Sequence, residues 1–322
     1  MIEQRSHPRL IRKLKDALGA KLCATLDDPA IVEVMLNPDG RVFVERLGRP
    51  ITDAGKMDAA TAEIIIGSVA HILGSEVSQE RPIVSGELPI GGHRFEGLIP
   101  PIVAAPIFAI RRKASRVFPL KDYVDAQVMT SQQAAFIRSA IRSRLNIVIC
   151  GGTGSGKTTL ANAVIAEIVE AAPNDRLVLL EDTHELQCCA QNAVALRTSD
   201  RVDMARLLRS TMRLRPDRIV VGEVRDGAAL TLLKAWNTGH PGGVTTIHSN
   251  TARSALQRLE QLTAEVSQQP MQAVIGDAVD LIISIERTSS GRRVRDLLEI
   301  GGYSDGHYQA IRRNQEGDLH AA

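Results

Sequence analysis

Aromatic side chains are nearly missing from this chain of 322 residues: one Trp, three Tyr and five Phe, 3% in all. Platforms for single-stranded nucleic acid stack successive bases on exposed aromatics, so this composition argues against one. An excess of one charge sign is missing too. The 39 Lys and Arg stand against 37 Asp and Glu, a formal net charge of +2. There is no global basic field of the kind a dedicated nucleic-acid binder shows.

Cysteine is scarce, and none of Cys23, Cys150, Cys188 and Cys189 forms a C-x-x-C pair. Neither a zinc ribbon nor a thioredoxin-like site is expected. Cys188 and Cys189 are adjacent and cannot form an ordinary unstrained disulfide with each other. Four reduced thiols in a cytosolic setting are expected. Long hydrophobic runs are missing as well. The longest apolar stretch, Leu98 to Ile110, is broken by Pro100, Pro101 and Pro106, and is too short to span a bilayer. The first residues, Met1 to Pro8, lack the apolar core of a signal peptide. Membrane contact is therefore expected only through a partner or a surface.

What is present suits about two domains, and a 44% hydrophobic content is enough for ordinary cores. Residues 7–110 read as mixed α and β. Leu10, Ile11, Leu14, Ala17 and Leu18 share a helical face. Ile31–Leu36 and Arg41–Glu45 are strand-like and flank the turn Asn37-Pro38-Asp39-Gly40, a hairpin signal. A helix over Ala59–Leu73 and strands over Ile83–Leu88, His93–Ile99 and Pro106–Arg111 complete a small α+β domain, 1–112. A charged stretch with Pro119 and weak periodicity suggests a linker over 113–128. From 129 to 322, strand candidates 145–150, 177–180, 219–224, 244–247 and 281–285 alternate with helix candidates, the pattern of an α/β domain on a mostly parallel sheet. The polar tail after Tyr303 is expected to be loosely ordered.

Gly151-Gly152-Thr153-Gly154-Ser155-Gly156-Lys157-Thr158 fits the phosphate-loop pattern G-x-x-x-x-G-K-[ST] at every fixed position. An apolar run, Leu145–Cys150, precedes it, and helically spaced apolar residues follow from Thr159. Strand, glycine turn and helix start together make an anion site. Glycine lets the backbone curl so that N–H groups converge, and the helix start adds partial positive charge. Lys157 can reach β- and γ-phosphates, Thr158 can ligate Mg²⁺, and Thr159 extends the cradle. No N-K-x-D-type guanine selector follows the loop, so GTP specificity is not suggested, and the expected ligand is a nucleoside triphosphate with Mg²⁺.

Three further strand ends carry polar clusters, where open α/β sheets bind their ligands. Glu181, Asp182 and Glu185 crowd the first, and carboxylates so close need a cation or a catalytic task. The run Ile219-Val220-Val221-Gly222-Glu223 delivers an acid to the second, where an acid holds Mg²⁺ or orients water. The third ends at His248. That imidazole either senses a γ-phosphate or supports its loop, and His240 is read as support.

These four clusters, in this order, resemble the motifs of the secretion ATPases of type II and type IV secretion systems and type IV pili. Gly151–Thr158 is similar to their Walker A, Leu180–Leu186 to their acidic box, Leu214–Asp226 to their atypical Walker B, and Gly239–His240 through Asn250 to their histidine box. Within that superfamily the chain looks most like the conjugal-transfer ATPases of the TrbB type. Nothing in it resembles the tetracysteine module of many type II members, and the extra N-terminal docking domain of type II and pilus-extension enzymes is not expected.

The resemblance implies a RecA-like motor domain behind a smaller N-terminal domain, working as a hexameric ring at the cytoplasmic face of the inner membrane beside secretion machinery. It also implies that Arg94 and Arg111 reach the nucleotide, where guanidinium forks neutralise charge on the transferred phosphoryl group. On this reading Glu223, with Glu185, activates the water. Asp182 or Glu223 helps Thr158 hold Mg²⁺, and His248 senses the γ-phosphate. Pilus retraction, type II secretion and a ring-shaped nucleic-acid translocase are the alternatives. For the last, the arginines between Arg206 and Arg215 would touch phosphates, though a solvated or subunit-facing helix is the plainer reading, and direct nucleic-acid binding is not expected.

Overall fold

A computed structural model describes residues 3–113, 116–199, 201–289 and 291–313, with side chains from residue 8 onward. By its internal contacts the chain divides into two compact units, Met1–Ser115 and Arg116–Ala322. Each is taken separately.

The first unit opens with helix α1 (Glu3–Asp27), whose Leu14, Leu18, Leu22 and Leu26 recur every fourth residue and are all buried. Strands β1 (Ile31–Leu36), β2 (Arg41–Arg46) and β3 (Thr52–Lys56) follow. Helix α2 (Ala59–Ile72) starts at Asp58, whose carboxylate accepts from Thr61 N, and so satisfies one of the orphan donors of its first turn. Strands β4 (Ile83–Glu87), β5 (Arg94–Leu98) and β6 (Ile107–Arg111) complete the unit. The six strands form one antiparallel sheet in the order β3-β2-β1-β6-β5-β4. Val34, Phe95, Phe108 and Ile110 point from it into a core shared with the leucines of α1 and with Ile65, Ile66 and Val69 of α2.

The second unit begins earlier than a linker over 113–128 would allow. Helix α3 (Leu120–Asp125) lies inside that stretch, and its Leu120 and Tyr123 are buried in the unit's core. Helix α4 (Ser131–Arg142) starts on a capping box, Thr130 with Gln133. Then come β7 (Ile147–Gly151), α5 (Lys157–Ala171), β8 (Leu177–Glu181), β9 (Ala193–Arg197), α6 (Met204–Thr211), β10 (Arg218–Val221), α7 (Ala228–Asn237), β11 (Val244–His248), α8 (Ala252–Ala264), α9 (Gln272–Ala278), β12 (Leu281–Thr288), β13 (Gly291–Ser304) and β14 (His307–Arg312). They build one sheet in the order β14-β13-β12-β7-β11-β10-β8-β9. From β12 to β9 the pairs are parallel, and β13 and β14 add antiparallel strands at one side. The chain beyond Tyr303 thus pairs into the sheet as far as Arg312, where its polarity suggested looseness.

Burial on both faces explains the continuous apolar runs of the central strands. Val148 and Cys150 of β7 face a core built with α6 to α9, whereas Ile147 and Ile149 face one built with α3, α4 and α5. The Cys150 thiol is pushed up to about 12 by burial, and all four cysteines are free. At the amino ends of the parallel strands, buried Arg218 donates from Nε to Asp175 Oδ2 at 2.7 Å and from Nη1 to Gly242 O at 3.1 Å, while Arg144 Nη2 reaches Asp175 Oδ1 at 2.6 Å. Buried Asn146 accepts from Gly242 N and Gly243 N and donates to Ala278 O. These contacts tie β7, β10 and β11 together at the end opposite the phosphate loop.

Candidate active site

The loop leaves β7 at Gly151, where no larger residue fits: an added Cβ would run into the Ile285 carbonyl oxygen and Ser155 Oγ. Gly156 has φ 100° and stands at the N-cap of α5. This left-handed backbone suits only glycine without strain, and it turns the chain so that the free N–H groups of the first helical turn face the loop. Ser155 is 2% exposed, and its hydroxyl is buried with no hydrogen-bond partner among the described residues. An orphaned buried donor inside a curl of N–H groups fits an anionic ligand. Thr158 and Thr159 follow in the first turn, both partly buried.

Lys157 is 7% exposed. Its Nζ donates to Gly152 O at 3.0 Å and lies 3.3 Å from His248 Nδ1. An ammonium only donates, so this contact is a hydrogen bond when Nδ1 is the bare nitrogen and the imidazole proton sits on Nε2. That nitrogen lies 2.8 Å from Glu223 Oε1, an oxygen that accepts no aligned hydrogen bond among the described residues. On its other oxygen Glu223 accepts from Arg225 Nε at 2.7 Å, and Arg225 Nη1 lies 3.6 Å from Asp182 Oδ2. Burial pulls the Arg225 guanidinium down, but the carboxylates of Glu223, Asp182 and Glu185 outweigh it and hold it above its ordinary value. Lys157, His248, Glu223, Arg225 and Asp182 therefore form one connected line across the carboxyl ends of β7, β11, β10 and β8.

The acidic box divides into two roles. Buried Glu181 accepts from Glu185 N at 2.8 Å and Leu186 N at 2.6 Å and lies 3.2 Å from His184 Nδ1. Its charge is used inside the loop, so it is not one of a crowd needing a cation. Exposed Asp182 accepts from Thr198 Oγ1. Sequence reasoning missed Asn162 of α5. Buried at 2% exposure, it accepts from Gln187 N at 2.8 Å and donates to Glu185 O at 3.2 Å, which pins the acidic loop to the helix of the phosphate loop. A single Asn on a helix has no spacing that marks it.

His240 lies before β11, at the other end of the sheet from His248, and its Nδ1 is 3.0 Å from Pro216 O. Arg94 and Arg111 belong to the first unit, on β5 and β6, directly opposite each other in register, with Glu33 of β1 next in the row. Burial raises the Glu33 carboxyl, with Arg111 opposing. Among the described residues no group of three or more His, Cys, Asp or Glu could hold a metal ion.

The family described as type II/IV secretion system protein matches residues 19–293. The chain belongs to this family. It is a nucleotide-binding secretion ATPase, and its sequence is 72% identical to the conjugal transfer protein TrbB of Rhizobium radiobacter over 323 residues, covering 100% of both chains. It is 31% identical over 319 residues to the protein VirB11 of Rhizobium radiobacter, covering 86% of this chain and 89% of that one. Among solved structures the secretion ATPase is similar to the pilus retraction motor PilT with bound ADP, with a TM-score of 0.61, 20% identity, and coverage of 92% of this chain and 83% of that one. That likeness concerns the fold: a RecA-like α/β unit preceded by a smaller α+β unit. No helix is long and apolar enough to cross a membrane among the described residues.

Proposed function

We propose that this ATPase works as a hexameric ring in the cytoplasm, peripherally attached to the inner membrane, and drives a conjugal-transfer machine of the type IV secretion kind. The observation that carries the reading is the run of contacts from Lys157 through His248 to Glu223. It joins the residue that would grip the phosphates to the acid that would activate water. Full-length likeness at 72% identity to a conjugal transfer protein favours conjugation over pilus retraction, where the likeness is 20% identical.

In this reading the backbone N–H groups of Gly152 to Thr159 and the Ser155 hydroxyl hold the phosphates of ATP. Lys157 exchanges the Gly152 carbonyl for the β- and γ-phosphates. Thr158, backed by Asp182 or Glu223, would hold Mg²⁺, which neutralises phosphate charge when bound. Glu223, with Glu185 in reserve, takes the proton of the attacking water, and His248 passes the state of the γ-phosphate to β11. Arg94 and Arg111 would add guanidinium charge to the phosphates.

Lys157→Ala is expected to lower turnover by about 100-fold or more with an unchanged circular dichroism spectrum. Glu223→Gln is expected to bind ATP while hydrolysing it about 100-fold more slowly. Normal hydrolysis by the Lys157 variant would sink the assignment, and normal hydrolysis by the Glu223 variant would move the water-activating role to Glu185.

A further inference from the structure

Arg292 stands near the start of β13, in register with Arg287 of β12. Its side chain lies against the phosphate loop: a Cβ built on Gly156 would meet Arg292 Cδ at 3.1 Å and Nε at 3.2 Å. The nearby Arg293, Arg295, Arg312 and Arg313 each face a carboxylate, on Glu286, Asp296 or Glu299. The Arg292 guanidinium has no hydrogen bond or ion pair among the described residues. It is close enough to Tyr123 for its charge to oppose the upward push of burial on that phenol. An arginine without a counter-ion, placed opposite another arginine, is an unfavourable arrangement for the isolated chain.

The sheet order says which part of a nucleotide would meet it. His248 and Glu223 stand beyond β11 and β10, on one side of β7, whereas β12 and β13 lie on the other. A nucleotide seated on the loop with its terminal phosphate toward His248 and Glu223 runs its adenosine end toward β13. The aromatics of this unit are committed elsewhere. Tyr123 and Trp236 are buried in the core, Tyr303 and Tyr308 pack on each other, and Phe118 and Phe136 lie against Arg116 and Arg313. A planar guanidinium can take the place of an aromatic on the face of a base.

We propose that Arg292 is a nucleotide-binding residue outside the phosphate loop, its guanidinium stacked on the adenine. The inference rests on the loop being the ATP site and deepens that reading.

The test uses the full chain and its Arg292→Ala and Arg292→Lys variants. A rise of about 5- to 10-fold is expected in KM for ATP and in Kd for ADP measured by calorimetry, with kcat changed by less than about twofold. Inhibition by tripolyphosphate, which has no base, should be unchanged. Lysine keeps the charge but lacks the plane, so it should behave like alanine. An ADP affinity that neither variant alters overturns the proposal. Equal weakening of tripolyphosphate by Arg292→Ala, or full rescue by lysine, also overturns it, because either would place the guanidinium on a phosphate. Failure of the underlying reading looks different: the unmodified chain would then bind neither ADP nor tripolyphosphate.

Discussion

The Lys157 ammonium rests 3.3 Å from Nδ1 of His248, so a group that can only donate favours the ring proton on Nε2, the nitrogen toward Glu223. Replacing His248 with Ala removes an acceptor from Lys157 and a neighbour from Glu223 together. Loss of a hydrogen bond to a charged group costs about 1.5–3 kcal/mol, so kcat is expected to fall about 10- to 100-fold with little change in KM. Asn, which can both accept and donate, should restore part of the rate. Steady-state hydrolysis assays check both variants, and an unchanged kcat in His248→Ala would leave this histidine a supporting role only.

Asn162→Ala should loosen the acidic loop from α5. It leaves Gln187 N and Glu185 O without their side-chain partners, a loss of about 1–3 kcal/mol. Thermal unfolding should shift down by a few degrees, and turnover should fall while ADP binding is kept. Turnover that stays level despite the lower unfolding temperature would separate this contact from catalysis.

Asp175→Ala is expected to be the most destabilising of these changes, because it strands the buried Arg218 guanidinium without its carboxylate. Breaking a buried pair from one side costs about 3–5 kcal/mol. Adding Arg218→Met should recover much of the loss. Urea unfolding of the single and double variants measures both effects.

His93 gives the first unit a pH dependence of known sign. Burial, then the charge of Arg112, holds its imidazole below the ordinary value, with Asp27 opposing, and its Nδ1 accepts from Lys113 N at 3.2 Å. The unfolded chain binds this proton more readily than the folded one. Stability from this group is therefore full above the ordinary histidine value and declines as pH falls from there toward the lower folded value. Glu33, raised by burial, acts in the opposite direction, so the informative quantity is a difference. His93→Gln, which keeps an acceptor, should destabilise the unit less at mildly acidic pH than at neutral pH, as read by urea unfolding at each pH.

Much of this is legible in the sequence because identity and burial coincide. The phosphate loop needs glycine where φ is positive, and the strands that carry the site are apolar runs because both of their faces are covered. Four strands are silent in the sequence, three of them for the converse reason. β3, with the sequence Thr-Asp-Ala-Gly-Lys, β9 and β14 sit at sheet edges with half their residues or more exposed, so no apolar run announces them, and β13 changes register partway along. The residues the sequence hides are those whose role depends on a distant neighbour. Asn162 matters through Glu185 and Gln187, and Arg292 through Gly156. Helix α3 is hidden because charge and a proline mask the two inward positions, Leu120 and Tyr123.

The ties of Asn146, Arg218 and Asp175 sit at the strand starts, a full strand length away from Lys157 and Glu223. Heat tolerance and enzymatic speed thus draw on different rims of one framework. A variant library aimed at the starting rim could toughen the protein without slowing it, and one aimed at the finishing rim could retune its rate without melting it so long as buried Asn162 is kept.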